Sequence, residues 1–327
     1  MDVSKILIEA KPFALFDSSP MEALVKTGIK TVDMRGRGVN HPEFVDELKD
    51  ASIILCGNDL RVDESFLKLT PSLRGIAKLG VGLDTIHIPS ASKKKIPVFH
   101  TPGANTQAVA DHTFALILSV SRKILYCDSS LREGRWEHTR ILGIELWQKT
   151  LGLIGLGAIG RAVASRAKGF EMRIVAYDPF WPSSFADANH IQKMEIEDLL
   201  RISDFVSIHS PLTEENRGLI NRRTLGIMKP SALLINTARG EIINEIDLCE
   251  ALENGKIAGA GIDVFEKEPP TDSPLLKFDN VVLTPHTGAF TKDALNTMSL
   301  SISDQILEFI KGNRPKHTVN PEVFEKK

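Results

Sequence analysis

Cysteine is scarce in this chain, long apolar runs are missing, and neither sign of charge dominates. The three cysteines, Cys56, Cys127 and Cys249, are scattered and odd in number, and no metal-ligand spacing joins them. That pattern argues against a disulfide framework and against a metal site, and it leaves reduced cytoplasmic thiols as the expectation. No apolar stretch approaches the ~20 residues of a membrane span, so no membrane partner is expected. The start, MDVSKILIEAK, has no basic region leading into a long apolar core, so no signal peptide is expected. A formal net charge of −2 gives no electrostatic reason to expect a nucleic acid or a membrane surface as partner. No fixed-period repeat and no low-complexity segment appears. What remains is ordinary globular composition, 42% hydrophobic and 25% charged, in 327 residues, enough for two domains.

The most informative segment lies mid-chain. Residues 151–160 read LGLIGLGAIG: a short apolar run, then Gly155, Gly157 and Gly160 in G-x-G-x-x-G spacing. The run suits a buried parallel strand, and RAVASRAKGF suits the helix that follows. Gly155 permits the tight turn, Gly157 lets backbone approach a pyrophosphate, and Gly160 lets helix and strand pack closely. The N–H groups of the first helical turn, at Ala158 and Ile159, would face the phosphates. A second strand, MRIVAYDPF, ends on Asp178, eighteen positions past Gly160. That is near the ~20-residue offset of the acid that bonds a ribose 2′-OH, and it argues for NAD over NADP, because a 2′-phosphate would meet a carboxylate. A plain strand-end turn before Pro179 is the competing reading of Asp178.

Short α/β units flank this fingerprint. KILIEA, ASIILCG, LRGIAKLG and IPVFH read as strands before it; HPEFVDELKD and DESFLKL read as helices. Ser19-Pro20-Met21-Glu22 reads as a helix start with a capping box. Residues 105–124 read as a long, largely buried helix, and 131–149 as an irregular arm that would pack on a partner subunit or on its own chain. After the fingerprint, DFVSIHSPL, SALLINTARG, IAGAGIDVF and VVLTPHTG read as strands, EIEDLLRI and EIDLCEALENG as helices. A long helix then precedes an extended tail. The expected architecture is two Rossmann-like doubly wound domains. The nucleotide domain, residues 101–289, is inserted into a flavodoxin-like substrate domain split between 1–100 and 290–327.

A bound nicotinamide implies hydride chemistry, and hydride transfer to or from C2 of a 2-hydroxy acid makes three demands. A cation must hold the carboxylate and polarise the C2 oxygen, an acid–base group must move the hydroxyl proton, and something must tune that group. Ligands bind beyond the carboxyl ends of parallel strands. Three such ends carry Arg239 next to Gly240, Glu268 in a Pro-rich turn, and His286 before Thr287-Gly288. Singly they read as a surface salt bridge, a solvated acid and a structural histidine; together, on one sheet, they read as a constellation.

The motifs KLGVGLDTI, PGANTQAVAD, LGLIGLGAIG, HSPLTEENRGLIN, NTARGEIINE, GIDVFEKEPP and TPHTGAFT occur here in one order over residues 50–320. In order and spacing the chain resembles the D-isomer-specific 2-hydroxyacid dehydrogenases. That resemblance implies that Arg239 binds the substrate carboxylate and keto oxygen, that His286 is the acid–base group, and that Glu268 hydrogen-bonds it. A carboxylate beside the imidazole would favour its protonated form, ready to donate during keto-acid reduction. The resemblance further implies that Val81 and Gly82 present backbone N–H groups to the substrate and that Asn105 lies near the cofactor. By the same token Asp263 meets the nicotinamide carboxamide, His209, Ser210 and Pro211 line the adenosine side, Thr237 and Ala238 line the nicotinamide side, and Gly288 also binds the cofactor. It implies no metal, a small 2-hydroxy or 2-keto acid as substrate, closure of a cleft, and a homodimer built on residues 105–150.

Two departures matter. Asp111 stands where the family usually has glutamate. In the loop Gly57-Asn58-Asp59-Leu60-Arg61, Gly57 and Asp59 fall where phosphoglycerate dehydrogenases carry arginines, leaving Arg61 nearby and Arg35 or Arg37 as candidates to compensate. A phosphate-bearing substrate, as in serine biosynthesis, is therefore the alternative reading. Its regulatory C-terminal extension is not expected in a chain of this length. A non-catalytic NAD-sensing regulator is a remote one, which the set Arg239, Glu268 and His286 argues against.

Overall fold

The computed structural model describes residues 3–37, 41–139 and 141–325. Met1 and Asp2 of the N-terminal segment, Arg140 of the arm and the last two residues of the tail lie outside them. The chain forms two compact units, Met1–Asn105 with Phe290–Lys327, and Thr106–Ala289.

In the first unit β1 (Lys5–Ile8), β2 (Lys30–Asp33), β3 (Ile53–Cys56), β4 (Gly75–Lys78) and β5 (Val98–Phe99) form a parallel sheet in the order β2-β1-β3-β4-β5, which is flavodoxin-like. Strands β1, β3 and β4 are buried along their whole length, as befits a sheet covered on both faces. The C-terminal segment completes this unit. Ser303 on the helix Lys292–Ile310 donates to the Pro20 carbonyl at 3.0 Å, and the Phe309 ring fills the space where a Cβ on Gly75 would stand 2.8 Å away. Asn320 then accepts the Val98 N–H at 2.7 Å and donates to the Ile96 carbonyl, fastening the tail to the β5 edge.

In the second unit β6 (Thr150–Ile154), β7 (Arg173–Tyr177), β8 (Gln192–Lys193), β9 (Phe205–Ile208), β10 (Leu233–Asn236), β11 (Gly259–Ile262) and β12 (Val281–Leu283) run parallel in the order β12-β11-β10-β9-β6-β7-β8. Successive side chains enter opposite apolar layers: Leu234 packs with Val206 and Ile262, Leu233 and Ile235 with Leu153 and Val282. The register decides what stands together beyond the strands. Ile154 is level with Tyr177 and Ile208, Asn236 with Ile208 and Ile262, and Ile262 with Leu283. Gly155, Asp178, His209, Thr237, Asp263 and Thr284 are therefore the next residues along one carboxyl edge.

Three details differ from the sequence reading. The helix expected at Ser19 has Ser18 as its N-cap and no side-chain capping bond; Ser18 Oγ donates instead to Glu22 Oε1 at 2.7 Å, because Ser19 is already helical. Lys30–Asp33 is a strand that hydropathy misses, since it lies on the sheet edge and holds one apolar residue, Val32. The helix Ile124–Arg132 starts after Lys123 in the left-handed region, and among the described residues only the rest of the arm is irregular.

Candidate active site

At the end of β6 the chain turns through Gly155, whose φ is +100°. A Cβ there would lie 2.7 Å from the His209 carbonyl carbon and the Ser210 nitrogen, and a Cβ on Gly160 would lie 2.2 Å from the Gly155 oxygen. Both contacts are with backbone, so no rotamer relieves them and only glycine fits. Gly157 faces open space, and a Cβ there would meet nothing within 4 Å. It caps the helix Ala158–Ala167, which starts without a side-chain cap. Tight packing at two glycines, open space at the third and the bare first turn at Ala158, Ile159 and Gly160 leave a backbone cradle that could hold a pyrophosphate.

Asp178 stands beside it at the end of β7. One carboxylate oxygen accepts the Leu156 N–H and the other the Phe180 N–H, both at 2.7 Å. The acid thus pins the glycine turn to the next strand, which uses the turn chemistry of the plainer reading without removing its remaining acceptor sites. Beyond β9, His209 bonds Ser207 Oγ through Nε2 at 2.9 Å, and its Nδ1 is shut off from solvent with no protein partner. The Pro211 carbonyl accepts from Asn216 at 2.7 Å, which shapes the loop after it.

Burial pulls the His209 imidazole down to about 3, against 6.5 for an ordinary histidine. The sign follows directly. The unfolded chain takes up this proton below pH 6.5 and the folded chain does not until about pH 3, so stability present above 6.5 drains away as pH falls between those values. At about 1.4 kcal/mol per unit, the loss at pH 5 is about 2 kcal/mol. We expect denaturant unfolding to show His209→Asn losing about 2 kcal/mol less than the wild type between pH 7 and pH 5. Equal losses in the two proteins would remove His209 as the source.

Beyond β10, the Asn236 side chain spans its own turn: it accepts the Ala238 N–H at 3.0 Å and donates to the Arg239 carbonyl at 2.8 Å. Thr237 Oγ1 lies 3.0 Å from Thr113 Oγ1 on the helix Thr106–Ser121. Arg239 follows, next to Gly240, where a Cβ would stand 1.9 Å from the Phe265 carbonyl carbon.

Beyond β11 and β12 Glu268 meets His286. Glu268 Oε2 and His286 Nδ1 are 2.8 Å apart, and Glu268 Oε1 accepts the Phe265 N–H at 3.2 Å. Burial alone would lift the Glu268 carboxyl. The His286 hydrogen bond and charge, the Phe265 N–H and the Arg239 charge outweigh it, and the group lies below the ordinary glutamate value. It is an anion against an imidazole, so Nδ1 carries the proton of that bond and Nε2 is the nitrogen outside it.

His286 has φ = 52°, a left-handed conformation rare for a residue with a side chain. Asp263 imposes it. The Asp263 carbonyl accepts the His286 N–H at 2.8 Å, and its carboxylate takes the Thr287 N–H at 2.8 Å, the Gly288 N–H at 2.9 Å and the Thr284 hydroxyl at 2.6 Å. Burial at 1% exposure would raise this carboxyl, but these donors and His112 hold it below the ordinary aspartate value. His112 Nε2 lies 2.9 Å from Thr284 Oγ1 and 3.3 Å from Asp263 Oδ1.

The residues Gly155, Gly157, Ala158, Ile159, Gly160, Asp178, His209, Pro211, Thr237, Ala238, Arg239, Asp263, Glu268, His286 and Gly288 thus all lie along one sheet edge. Val81, Gly82 and Asn105 belong to the first unit. There the Val81 carbonyl is 3.0 Å from His100 Nδ1, and Asn105 Oδ1 is buried without a partner. Asp111 pairs with Arg166 at 2.7 Å, so the shortened acid links the Thr106 helix to the helix of the glycine turn. Sequence reasoning missed His112, Thr113, Asn236 and Thr284. Their signal was faint: polar residues at 112 and 113, beside Asp111, in the middle of a largely buried helix, and polar residues closing β10 and following β12. Among the described residues no cluster of acids, histidines and cysteines could hold a metal, and no helix is long and apolar enough to cross a membrane.

The 57–61 loop of the first unit is tied from both sides. Glu9 accepts the Gly57 N–H at 2.8 Å, buried Lys78 reaches Asn58 Oδ1 at 2.8 Å, and Asp59 pairs with Lys11 at 2.7 Å. Arg35 bonds Asp33 and the Phe13 carbonyl, Arg37 pairs with Glu43, and Arg61 lies 3.7 Å from Asp63.

The sequence profile described as "D-isomer specific 2-hydroxyacid dehydrogenase, NAD binding domain" matches residues 114–288. The D-3-phosphoglycerate dehydrogenase of Methanocaldococcus jannaschii is 39% identical over 292 residues, which are 89% of this chain and 56% of that protein. This chain therefore spans about half the length of that relative. The glyoxylate reductase of Korarchaeum cryptofilum is 39% identical over 287 residues, 86% of each chain. Among solved structures, a glyoxylate reductase from Paecilomyes thermophila superposes with a TM-score of 0.88 at 28% identity, covering 98% of this chain and all of that one. D-Lactate dehydrogenase from Aquifex aeolicus, complexed with NAD and lactic acid, gives 0.86 at 29% identity, covering 97% and 99%. Fingerprint, strand order, profile and relatives agree: the chain belongs to the D-isomer specific 2-hydroxyacid dehydrogenase family.

Proposed function

We propose that this protein is an NAD-dependent oxidoreductase acting on C2 of a small, unphosphorylated D-2-hydroxy acid or 2-keto acid. The observation that carries the reading is the 2.8 Å pair of Glu268 and His286 on the sheet edge that also holds the glycine cradle and Arg239. NAD, when bound, supplies or accepts the hydride. The residues present fit it: the cradle at Gly155, Gly157 and Gly160 for the pyrophosphate, Asp178 for a ribose hydroxyl, and the orphaned Nδ1 of His209 on the adenosine side. Residues 101–289 form the nucleotide domain in this reading, and 1–100 with 290–327 the substrate domain.

Arg239 offers a planar cation that matches a carboxylate and an adjacent oxygen, fixing the acid and drawing charge onto the C2 oxygen. His286, held at Nδ1 by Glu268, gives the Nε2 proton to that oxygen during reduction and takes it back during oxidation. Thr237, Ala238, Asp263, Pro211 and Gly288 lie along the same sheet edge and line the site in this reading.

The 57–61 loop argues for an uncharged substrate tail. The three arginines Arg35, Arg37 and Arg61 each pair with a carboxylate, of Asp33, Glu43 and Asp63 respectively. Asp59 adds a negative charge. A panel of glyoxylate, hydroxypyruvate, pyruvate and 3-phosphohydroxypyruvate with NADH and NADPH tests the reading. We expect turnover of an unphosphorylated acid with NADH, and kcat/KM for the phosphorylated one at least tenfold lower. Preference for 3-phosphohydroxypyruvate would overturn the substrate, preference for NADPH the role of Asp178, and no turnover of any acid the enzyme itself.

The reading includes a homodimer in the cytoplasm. The helix Ile124–Arg132 and the arm after it expose Leu125, Leu131, Trp136, Leu142 and Trp147, with Trp136 at 76% and Leu142 at 81%. These exposed apolar side chains support an association surface on this segment; sedimentation velocity should show a dimer, and a monomer at micromolar concentration would overturn it.

A further inference from the structure

His112 and Thr113 are neighbours on one helix, and each reaches a different loop of the site. Their hydrogen-bond chemistry orders the contacts. Thr284 Oγ1 has one proton, and at 2.6 Å it goes to the Asp263 carboxylate. The oxygen is then an acceptor, so His112 Nε2, 2.9 Å away, must carry a proton and donate it. The same Nε2 faces Asp263 Oδ1 at 3.3 Å. Asp263 in turn holds the N–H groups of Thr287 and Gly288 and, through its carbonyl, that of His286. Thr113 Oγ1 gives its own proton to the Val109 carbonyl at 2.8 Å, so the 3.0 Å contact with Thr237 has Thr237 donating. Thr237 is two residues before Arg239 on the turn that Asn236 spans.

We propose that His112 and Thr113 are positioning residues that set the two halves of the site from one rigid element. His112 fixes the left-handed turn of His286 through Thr284 and Asp263, and Thr113 fixes the Arg239 turn through Thr237. Neither needs to touch the substrate. The helix is a suitable strut because Val109, Ala110, Phe114, Ile117 and Val120 bury its flanks, so both side chains leave a fixed backbone. The geometry favours positioning over plain packing, because each side chain ends in a directed polar bond to a loop rather than in apolar contact.

The inference rests on His286 as the acid–base group, and the test separates the two. His112→Leu should lower kcat for keto-acid reduction at least tenfold while KM for NADH stays within twofold. His112→Gln, which restores a donor at the end of a planar amide, should return kcat to within threefold of the wild type. Thr113→Val, isosteric and lacking only the hydroxyl, should raise KM for the keto acid at least threefold, and Thr113→Ser should restore it. His286→Gln is run alongside. If it loses turnover while His112→Leu and Thr113→Val behave as the wild type, the strut is overturned alone. If all three turn over normally, the assignment of His286 falls with it. Loss in His112→Leu that Gln does not recover, or a fall in NADH affinity matching the fall in kcat, would make the role structural and also overturn the proposal. Thr113→Val and Thr113→Ser decide the matter should His112→Leu not fold.

Discussion

His286→Ala is expected to cut turnover of the preferred keto acid by about 10²- to 10⁴-fold, the usual worth of a positioned general acid, with the NADH dissociation constant held within about twofold. The separation follows from where the side chain lies. His286 is bonded to Glu268 beyond β11 and β12, whereas the glycine cradle and Asp178 stand beyond β6 and β7 on the other side of β9 and β10. Removing the imidazole takes away a proton donor and leaves the phosphate site intact. The backbone at φ = 52° survives the change, because the bonds that impose it come from Asp263 and Thr284 to main-chain atoms, not to the ring. His286→Asn is the better control for that point, since asparagine tolerates the left-handed region and cannot move the proton. Stopped-flow reduction and NADH fluorescence titration on both variants give the answer. Equal loss of turnover and NADH affinity would make His286 a structural residue.

Much of this arrangement is legible in the sequence itself. The glycine turn can be read because its three positions are steric demands: a positive φ with backbone 2.7 Å away at Gly155, a backbone oxygen 2.2 Å away at Gly160, and open space at Gly157. The parallel sheets can be read because their central strands are buried and mostly apolar, with Ser207 and Asn236 the polar residues among them. Once the strands are known, Arg239, Glu268 and His286 fall beyond three of them, and only their mutual distance waits for the fold.

What stays hidden has physical reasons too. The Lys30–Asp33 strand sits on a sheet edge, where one face of its pattern is free to be polar. Ser18 and Ser19 are both possible caps; the pattern points to Ser19, but the cap is Ser18, and Asp17 Oδ1, two residues before Ser19, accepts the Ser19 N–H at 2.9 Å. His112 is invisible because a helix records which side chains are buried, not which distant loop their polar atoms will find. Its partner Thr284 is at a sequence separation of 172. Asp263 shows the same limit from another side. Its position after β11 suggests a ligand-facing acid, yet its carboxylate is spent largely on the backbone of the loop that carries His286.

Gly240→Ala should be the most damaging single methyl in the second unit. Its Cβ would stand 1.9 Å from the Phe265 carbonyl carbon, 2.1 Å from the Phe265 oxygen and 2.4 Å from the Glu266 nitrogen. All three are backbone atoms, so no side chain can swing aside and the two turns must separate. One of them carries Arg239; the other runs into Glu268, whose Oε1 holds the Phe265 N–H. The cost is set by overpacking, about 3 kcal/mol at the upper end of the ordinary range, which corresponds to roughly 6–12 °C in the unfolding midpoint of a unit this size. The catalytic cost comes on top, because the displaced turns are the ones that must bring cation and carboxylate to the same substrate; a 1 Å misplacement is worth about 10²-fold. Gly157→Ala is the matched comparison. Its methyl meets nothing within 4 Å, so the midpoint should not move, while NADH affinity falls as the methyl enters the space proposed for the pyrophosphate. Thermal unfolding and steady-state kinetics on the pair separate the two effects. A Gly240→Ala protein with wild-type midpoint and wild-type kcat/KM would mean that the Arg239 and Glu268 turns are not held in the close approach on which the proposed chemistry depends.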